Sequence, residues 1–159
     1  MLELAKLDLD DIATSLQNQI NDGFEFMELI DPTTGELAVW SSDTGLNDDR
    51  TTFDLDEVDL VAIRALPSHV WYQDMADFAE LVSDEKAARR LARALDGRGA
   101  FRRFRSELHE EYPGLLPAWR AFSDSRARSR AVEFLAEHRL VDDAEADRYL
   151  AEHPDTPVP

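Results

Sequence analysis

Ile30-Asp31-Pro32-Thr33-Thr34-Gly35-Glu36-Leu37 is the stretch on which the fold turns. Proline presets one dihedral of a turn, Asp and Thr side chains bond the local main chain, and glycine reaches φ > 0 without a Cβ penalty. Before the turn, Phe24 to Ile30 is rich in aromatic and branched residues; after it, Leu37 to Ser41 returns in kind. Two strand-like runs joined by turn chemistry predict an antiparallel hairpin.

On the N-terminal side of the hairpin, Leu9, Ile12, Leu16 and Ile20 fall on one face of a helix. Asp8 or Asp10 can cap it, and Asn21-Asp22-Gly23 supplies a stop. On the other side, residues 42–52 are polar and predict a loop. Strand signals resume near Phe53 and are clearest from Val58 to Ala65. The expected sheet is a meander of about three antiparallel strands with helices over one face.

Leu66-Pro67-Ser68 ends the sheet, with Ser68 suited to cap a helix. From here the apolar period changes. Trp71, Met75, Phe78 and Val82 make one stripe. Ser83 is the expected cap of the next helix, whose apolar face is Ala87, Leu91, Ala94 and Leu95, with Lys86, Arg89, Arg90 and Arg93 opposite. Asp96-Gly97 ends it, and Gly97 fits a left-handed cap. Another helix begins around Gly99. Phe101, Phe104 and Leu108 form its stripe, with Arg98, Arg102, Arg105 and His109 on one flank and Glu107, Glu110 and Glu111 on the other.

Pro113 and Pro117 bracket the following start, where Leu115, Trp119 and Phe122 share a face. Ser123-Asp124-Ser125 predicts a break before a helix carrying Ala127, Ala131 and Leu135. Asp142-Asp143-Ala144-Glu145 resembles a capping box, with Asp in the usual Ser/Thr place. A last helix runs to about His153, and residues 154–159 are expected to form a disordered tail. The predicted fold class is α+β: a small antiparallel β-meander followed by a C-terminal bundle of about five helices. It is read as a single domain over residues 1–153, with an N-terminal helix (1–22), the meander (24–65) and a helical part (68–153).

The net charge of −17 is unevenly spread. Residues 1–85 hold 3 basic and 21 acidic side chains, a net of −18; residues 86–159 hold 14 and 13, a net of +1. Within the latter, residues 86–130 hold 12 basic and 5 acidic side chains, a net of +7. Overall acidity opposes non-specific binding to nucleic acid or anionic lipid, yet leaves room for a local basic patch. The chain has no cysteine, which excludes disulfides and thiol chemistry. Met1-Leu2-Glu3-Leu4 lacks a signal-peptide pattern, and no apolar run approaches the roughly 20 residues needed to span a membrane. The expectation is a cytoplasmic protein.

Three stretches carry a resemblance. They are the hairpin Ile30 to Leu37, the segment Leu66-Pro67-Ser68 through Tyr72, Met75 and Phe78, and the run Ala94-Leu95-Asp96-Gly97-Arg98-Gly99-Ala100-Phe101-Arg102-Arg103-Phe104. Trp119, Phe122, Arg126, Glu133, Phe134 and Leu135 continue it. Together they resemble uncharacterised protein family 0158, a bacterial family, over residues 25–141, with the N-terminal helix outside the likeness. Two departures stand out: the long acidic loop after the hairpin, and Phe134 at a place where the family pattern has tryptophan. The resemblance supports the architecture and brings no catalytic residues with it.

The glycine-arginine run is the leading candidate site. A glycine-flanked helix start with nearby guanidinium groups can hold phosphate or carboxylate. The competing reading is structural: Gly97 caps one helix, Gly99 admits close packing, and the arginines pair with the acidic half. The run is no P-loop, because the spacing differs and no Gly-Lys-Ser/Thr follows. Phe101, Phe104, Trp119 and Phe122 recur at helical spacing and read as core rather than as stacking platforms for bases. The cluster Asp54, Asp56, Glu57 and Asp59, and Asp48-Asp49, lack a calcium-loop ladder. His69, His109, His138 and His153 form no metal motif, and no nucleophile elbow occurs. No metal and no cofactor is expected.

Three functions compete. The first is a non-enzymatic interaction module that binds an acidic protein or other anionic partner through Lys86, Arg89, Arg90, Arg93, Arg98, Arg102, Arg103 and Arg105. The second is a nucleic-acid-binding regulator using the same patch, disfavoured by net charge. The third is an enzyme with a pocket at the Gly97–Gly99 junction lined by Tyr72, Asp96 and Arg98. A homodimer joining acidic to basic surface is a further possibility.

Overall fold

The computed structural model describes residues 1–19, 25–43, 45–46 and 59–159. The elements run α1 (Leu9–Gln17), β1 (Phe26–Ile30), β2 (Leu37–Ser41), β3 (Gly45–Leu46), β4 (Val61–Ile63), α2 (Ser68–Leu81), α3 (Glu85–Ala94), α4 (Ala100–Glu110), α5 (Leu116–Glu137) and α6 (Asp143–Glu152). A sheet preceded by one helix and followed by five is the predicted α+β class. Two compact units divide the chain: residues 1–66 with 127–153, and residues 67–126 with 154–159.

In the first unit, the Asp8 side chain caps α1 by accepting from the Asp11 N–H at 3.0 Å. Ile12, Ala13 and Leu16 are buried; Ile20 and Asn21-Asp22-Gly23 lie outside the described residues. The hairpin forms as its turn chemistry requires. The Gly35 N–H donates to the Asp31 carbonyl at 2.8 Å, and Gly35 takes φ 79°. β1 pairs antiparallel with β2, Glu28 opposite Val39 and Ile30 opposite Leu37.

The sheet order is β3-β2-β1-β4. Three strands meander, but the fourth returns to the free edge of β1, setting Glu28 opposite Ile63. The plain meander is corrected to this extent. β1 becomes a central strand and is buried on both faces: Met27 and Leu29 on one, Ile30 on the other, where Ile63 joins it. The same unit contains the end of α5 and α6. Arg128 Nε lies 2.6 Å from the Asp10 carboxylate.

The second unit is built on aromatic packing. Phe78 of α2, Phe104 of α4, and Trp119 and Phe122 of α5 meet edge to face, with ring centroids 5.0 to 6.4 Å apart. Phe78, Phe104 and Phe122 are wholly buried. Phe101 and Trp119, half-buried, pack against the same cluster. The aromatic residues among the arginines are thus core.

Several local expectations are revised. Ser68 is the first residue of α2, with Pro67 before it, and is not its cap. Asp84, not Ser83, caps α3: its carboxylate accepts from the Lys86 and Ala87 N–H groups at 3.0 and 3.1 Å. Asp142 caps α6, but Glu145 does not close a capping box, because its Oε1 accepts from the Leu4 N–H at 2.8 Å. α5 runs without a break through Ser123-Asp124-Ser125. Phe122 before that triplet and Ala127 after it are both buried, and packing at both ends outweighs the weak local preference of Ser and Asp for a turn. Residues 154–159, expected to be disordered, have no helix or strand but are held in the second unit, where Val158 packs against the aromatic core.

Candidate functional site

The site is made by α3, α4 and the turn between them. On α3, burial of Ala87, Leu91 and Ala94 turns Lys86, Arg89 and Arg93 outward. On α4, burial of Ala100, Phe104 and Leu108 exposes Arg102, Arg105 and His109. Arg93, Ala94, Arg102, Ser106, Glu107, Glu110 and Glu111 are among the residues lining a groove of about 600 Å³.

Gly97 and Gly99 both take left-handed φ, 75° and 74°, which lets the chain reverse within a few residues. The reversal brings Arg103 back over the end of α3. Its Nε donates to the Ala94 carbonyl at 3.0 Å, and its terminal nitrogens donate to the Asp96 and Arg98 carbonyls. A helix leaves its last carbonyls without partners, and here one guanidinium serves the final carbonyl of α3 and two carbonyls of the turn that follows. The glycine-arginine run is therefore first a device for joining two helices.

The seven arginines singled out in the sequence divide accordingly. Arg103 is committed to carbonyls. Arg90 is half-buried and paired, its guanidinium 3.3 Å from Glu107 and 3.6 Å from Glu111 and over the Tyr112 ring. Burial works against the Arg90 charge, but Glu107, Tyr112 and Glu111 outweigh it and hold the group above its ordinary pKa. Arg89 Nε donates to the Glu85 carbonyl at 3.4 Å. Arg89, Arg93, Arg98, Arg102 and Arg105 are exposed and make no ion pair among the described residues. The described ion pairs of this cluster run to Glu107 of α4 and to Glu111 just after it, within the same unit.

The residues suggested for a pocket at the glycine junction are placed differently. The Tyr72 hydroxyl donates to the Leu95 carbonyl at 3.0 Å, another closure of the α3 end. Asp96, Gly97 and Gly99 are exposed on the turn and, like Tyr72, are not among the residues lining the α3–α4 groove. Of the acidic residues considered as metal ligands, Asp59 is exposed, and Asp48, Asp49, Asp54, Asp56 and Glu57 lie outside the described residues.

A second cluster was not singled out from sequence. Arg126 of α5 meets Asp74, which is 2% exposed, at 3.3 Å, and also Asp77 and Asp155. Its guanidinium lies 4.7 Å from the centroid of the Phe122 ring. The fork with Asp155 raises the Arg126 pKa most; burial opposes, and Asp77 and Asp74 add to the rise. The signal was present: Asp74 stands within the stripe Trp71, Met75 and Phe78, and a carboxylate on an apolar face calls for a cation.

These features define a small α+β protein whose helical unit carries a groove lined by arginines and glutamates. The chain belongs to the uncharacterised protein family (UPF0158), whose model matches residues 9–156 and so takes in α1, which the resemblance had left out. None of the curated proteins or solved structures compared matches it. No helix among the described residues is long and apolar enough to cross a membrane.

Proposed function

We propose that the protein is a non-enzymatic interaction module whose α3–α4 face binds an acidic segment of a protein partner. The observation that carries this reading is the division of the arginines. Two are used to join and brace α3 and α4, while Arg89, Arg93, Arg98, Arg102 and Arg105 are exposed with no carboxylate partner among the described residues. Arg93 and Arg102 also line one groove, with Arg90, Arg103, Ser106 and three glutamates. Guanidinium forks match carboxylates in pairs, which suits aspartate- and glutamate-rich chain.

Charge supports a protein partner over nucleic acid. The second unit holds 10 basic and 11 acidic residues, so its arginine face is a local feature in a unit of net −1. The first unit holds 7 and 23, a net of −16, which repels a long phosphate backbone more than a short acidic segment. An exposed ion pair contributes only about 0.2–1 kcal/mol, so recognition needs several arginines at once and weakens with salt. Salt-sensitive binding of an acidic partner that disappears when Arg89, Arg93 and Arg102 are all changed to glutamate is the expected result. Binding that survives this reversal excludes the face.

A further inference from the structure

Among the described residues, three contacts hold Pro154–Pro159 in the second unit. The Asp155 carboxylate accepts from Arg126 Nε at 3.2 Å and from Arg126 Nη2 at 2.8 Å, a two-point fork. Val158 lies against the aromatic core. The Ser83 N–H donates to the Pro159 main-chain oxygen at 3.0 Å.

The receiving surface is made by other residues of the unit. Arg126 Nη1 is bound to Asp74 and Asp77 of α2, and the guanidinium rests over Phe122. One edge of the guanidinium is thereby anchored, and the Nε–Nη2 edge is turned to Asp155. Ser83 stands one residue before the Asp84 cap of α3, and its N–H donates to an oxygen from outside the helix. A fixed arginine fork, an apolar surface and a main-chain donor are the parts of a receptor for extended peptide.

We propose that this cradle is a peptide-recognition site for a short proline-rich segment with a carboxylate and, three residues on, an aliphatic side chain, and that Pro154–Pro159 occupies it in cis as a displaceable latch. Asp155 is the third carboxylate on a single guanidinium, and its side chain is 49% exposed. The Thr156 hydroxyl is buried with no hydrogen-bond partner among the described residues. Both features keep the intrinsic affinity low. Attachment to the same chain holds the segment at an effective concentration on the order of millimolar, which keeps a weak ligand seated. Three prolines in six residues reduce the ordering cost. The cradle shares no residue with the α3–α4 groove, so it stands or falls separately from the acidic-partner reading.

The test compares the full chain with a variant ending at His153, using the free peptide Pro-Asp-Thr-Pro-Val-Pro carrying a fluorophore. The folded shortened chain should bind it saturably, and replacing the peptide aspartate by asparagine should weaken binding up to about fivefold, the loss of a half-exposed charge-assisted fork. The full chain, already occupied, should bind about tenfold more weakly or worse. No saturable binding at millimolar peptide, or equal binding by both chains, overturns the proposal. If the shortened chain fails to fold, Asp155→Asn in the full chain must raise peptide binding above that of the unaltered protein, and unchanged binding overturns it. A dimer of the full chain that is lost on shortening would overturn cis occupancy, because a second copy would then fill the cradle.

Discussion

Arg103 Nε donates to the Ala94 carbonyl at 3.0 Å, so the helix after the glycine turn closes the helix before it. Arg102, its neighbour in sequence, lines the same groove as Arg103 but is tied to no carbonyl of the turn among the described residues. One residue of helix rotates a side chain by about 100° and here divides structure from recognition. Arg103→Ala is expected to lower stability by about 1–2 kcal/mol, since charged hydrogen bonds to the end of α3 are lost. Arg102→Ala should change it by less than about 0.5 kcal/mol. Urea midpoints with unchanged m-values check the contrast.

Gly97→Ala and Gly99→Ala should each cost about 1–2 kcal/mol, through backbone conformation and not through collision. A Cβ at Gly99 would meet Arg103 Nη1 at 3.5 Å, and one at Gly97 would meet Arg103 Nη2 at 4.0 Å, both ordinary contacts. Gly97→Asn should cost less than Gly97→Ala, because asparagine tolerates left-handed φ. Thermal unfolding of the three variants gives the order.

Arg126→Met should destabilise by about 3 kcal/mol, because it strips the described cation from Asp74 and a buried carboxylate without its arginine is costly. The value falls at the low end of the buried range, since Asp77 and Asp155 keep contact with water. Asp155→Asn, at the exposed end of the same cluster, should cost less than about 1 kcal/mol. Chemical denaturation of the two variants separates these outcomes.

Like charge from Asp8 raises the Asp11 pKa above the ordinary aspartate value, with burial, a hydrogen bond to Asp8 and Asp10 adding to it. A carboxyl with a raised pKa favours the fold in its protonated form. That contribution is complete below the unfolded pKa and is lost as pH rises through the folded one. NMR titration of the Asp11 carboxyl should give a midpoint above the ordinary value. Asp8→Asn, which keeps a capping oxygen, should bring it down.

The hairpin, a cap at Asp8 or Asp10 and the aromatic stripes were legible because each rests on neighbours in sequence or on one helical period. What was not legible depends on distant partners. Nothing near Val61 to Ile63 says that β4 joins β1 and not β3. Ser123-Asp124-Ser125 carries a turn signal that buried Phe122 and Ala127 override. Ser83 and Asp84 are both good caps, and the carboxylate serves two N–H groups at once. For the candidate site, charge spacing marked the face of α3 and α4. It did not separate Arg90 and Arg103, which brace the helices, from Arg93 and Arg102. Asp155 finds Arg126 across 29 residues, and no periodicity encodes that.

The most direct measurement follows the arginine side-chain N–H signals by NMR as a hexaglutamate peptide is added at low salt. Arg93 and Arg102 should shift saturably, Arg103 should stay still, and Arg93→Glu with Arg102→Glu should abolish the response. Signals of Arg93 and Arg102 that do not move, or a response that persists in the doubly reversed protein, would contradict an acidic partner on this face.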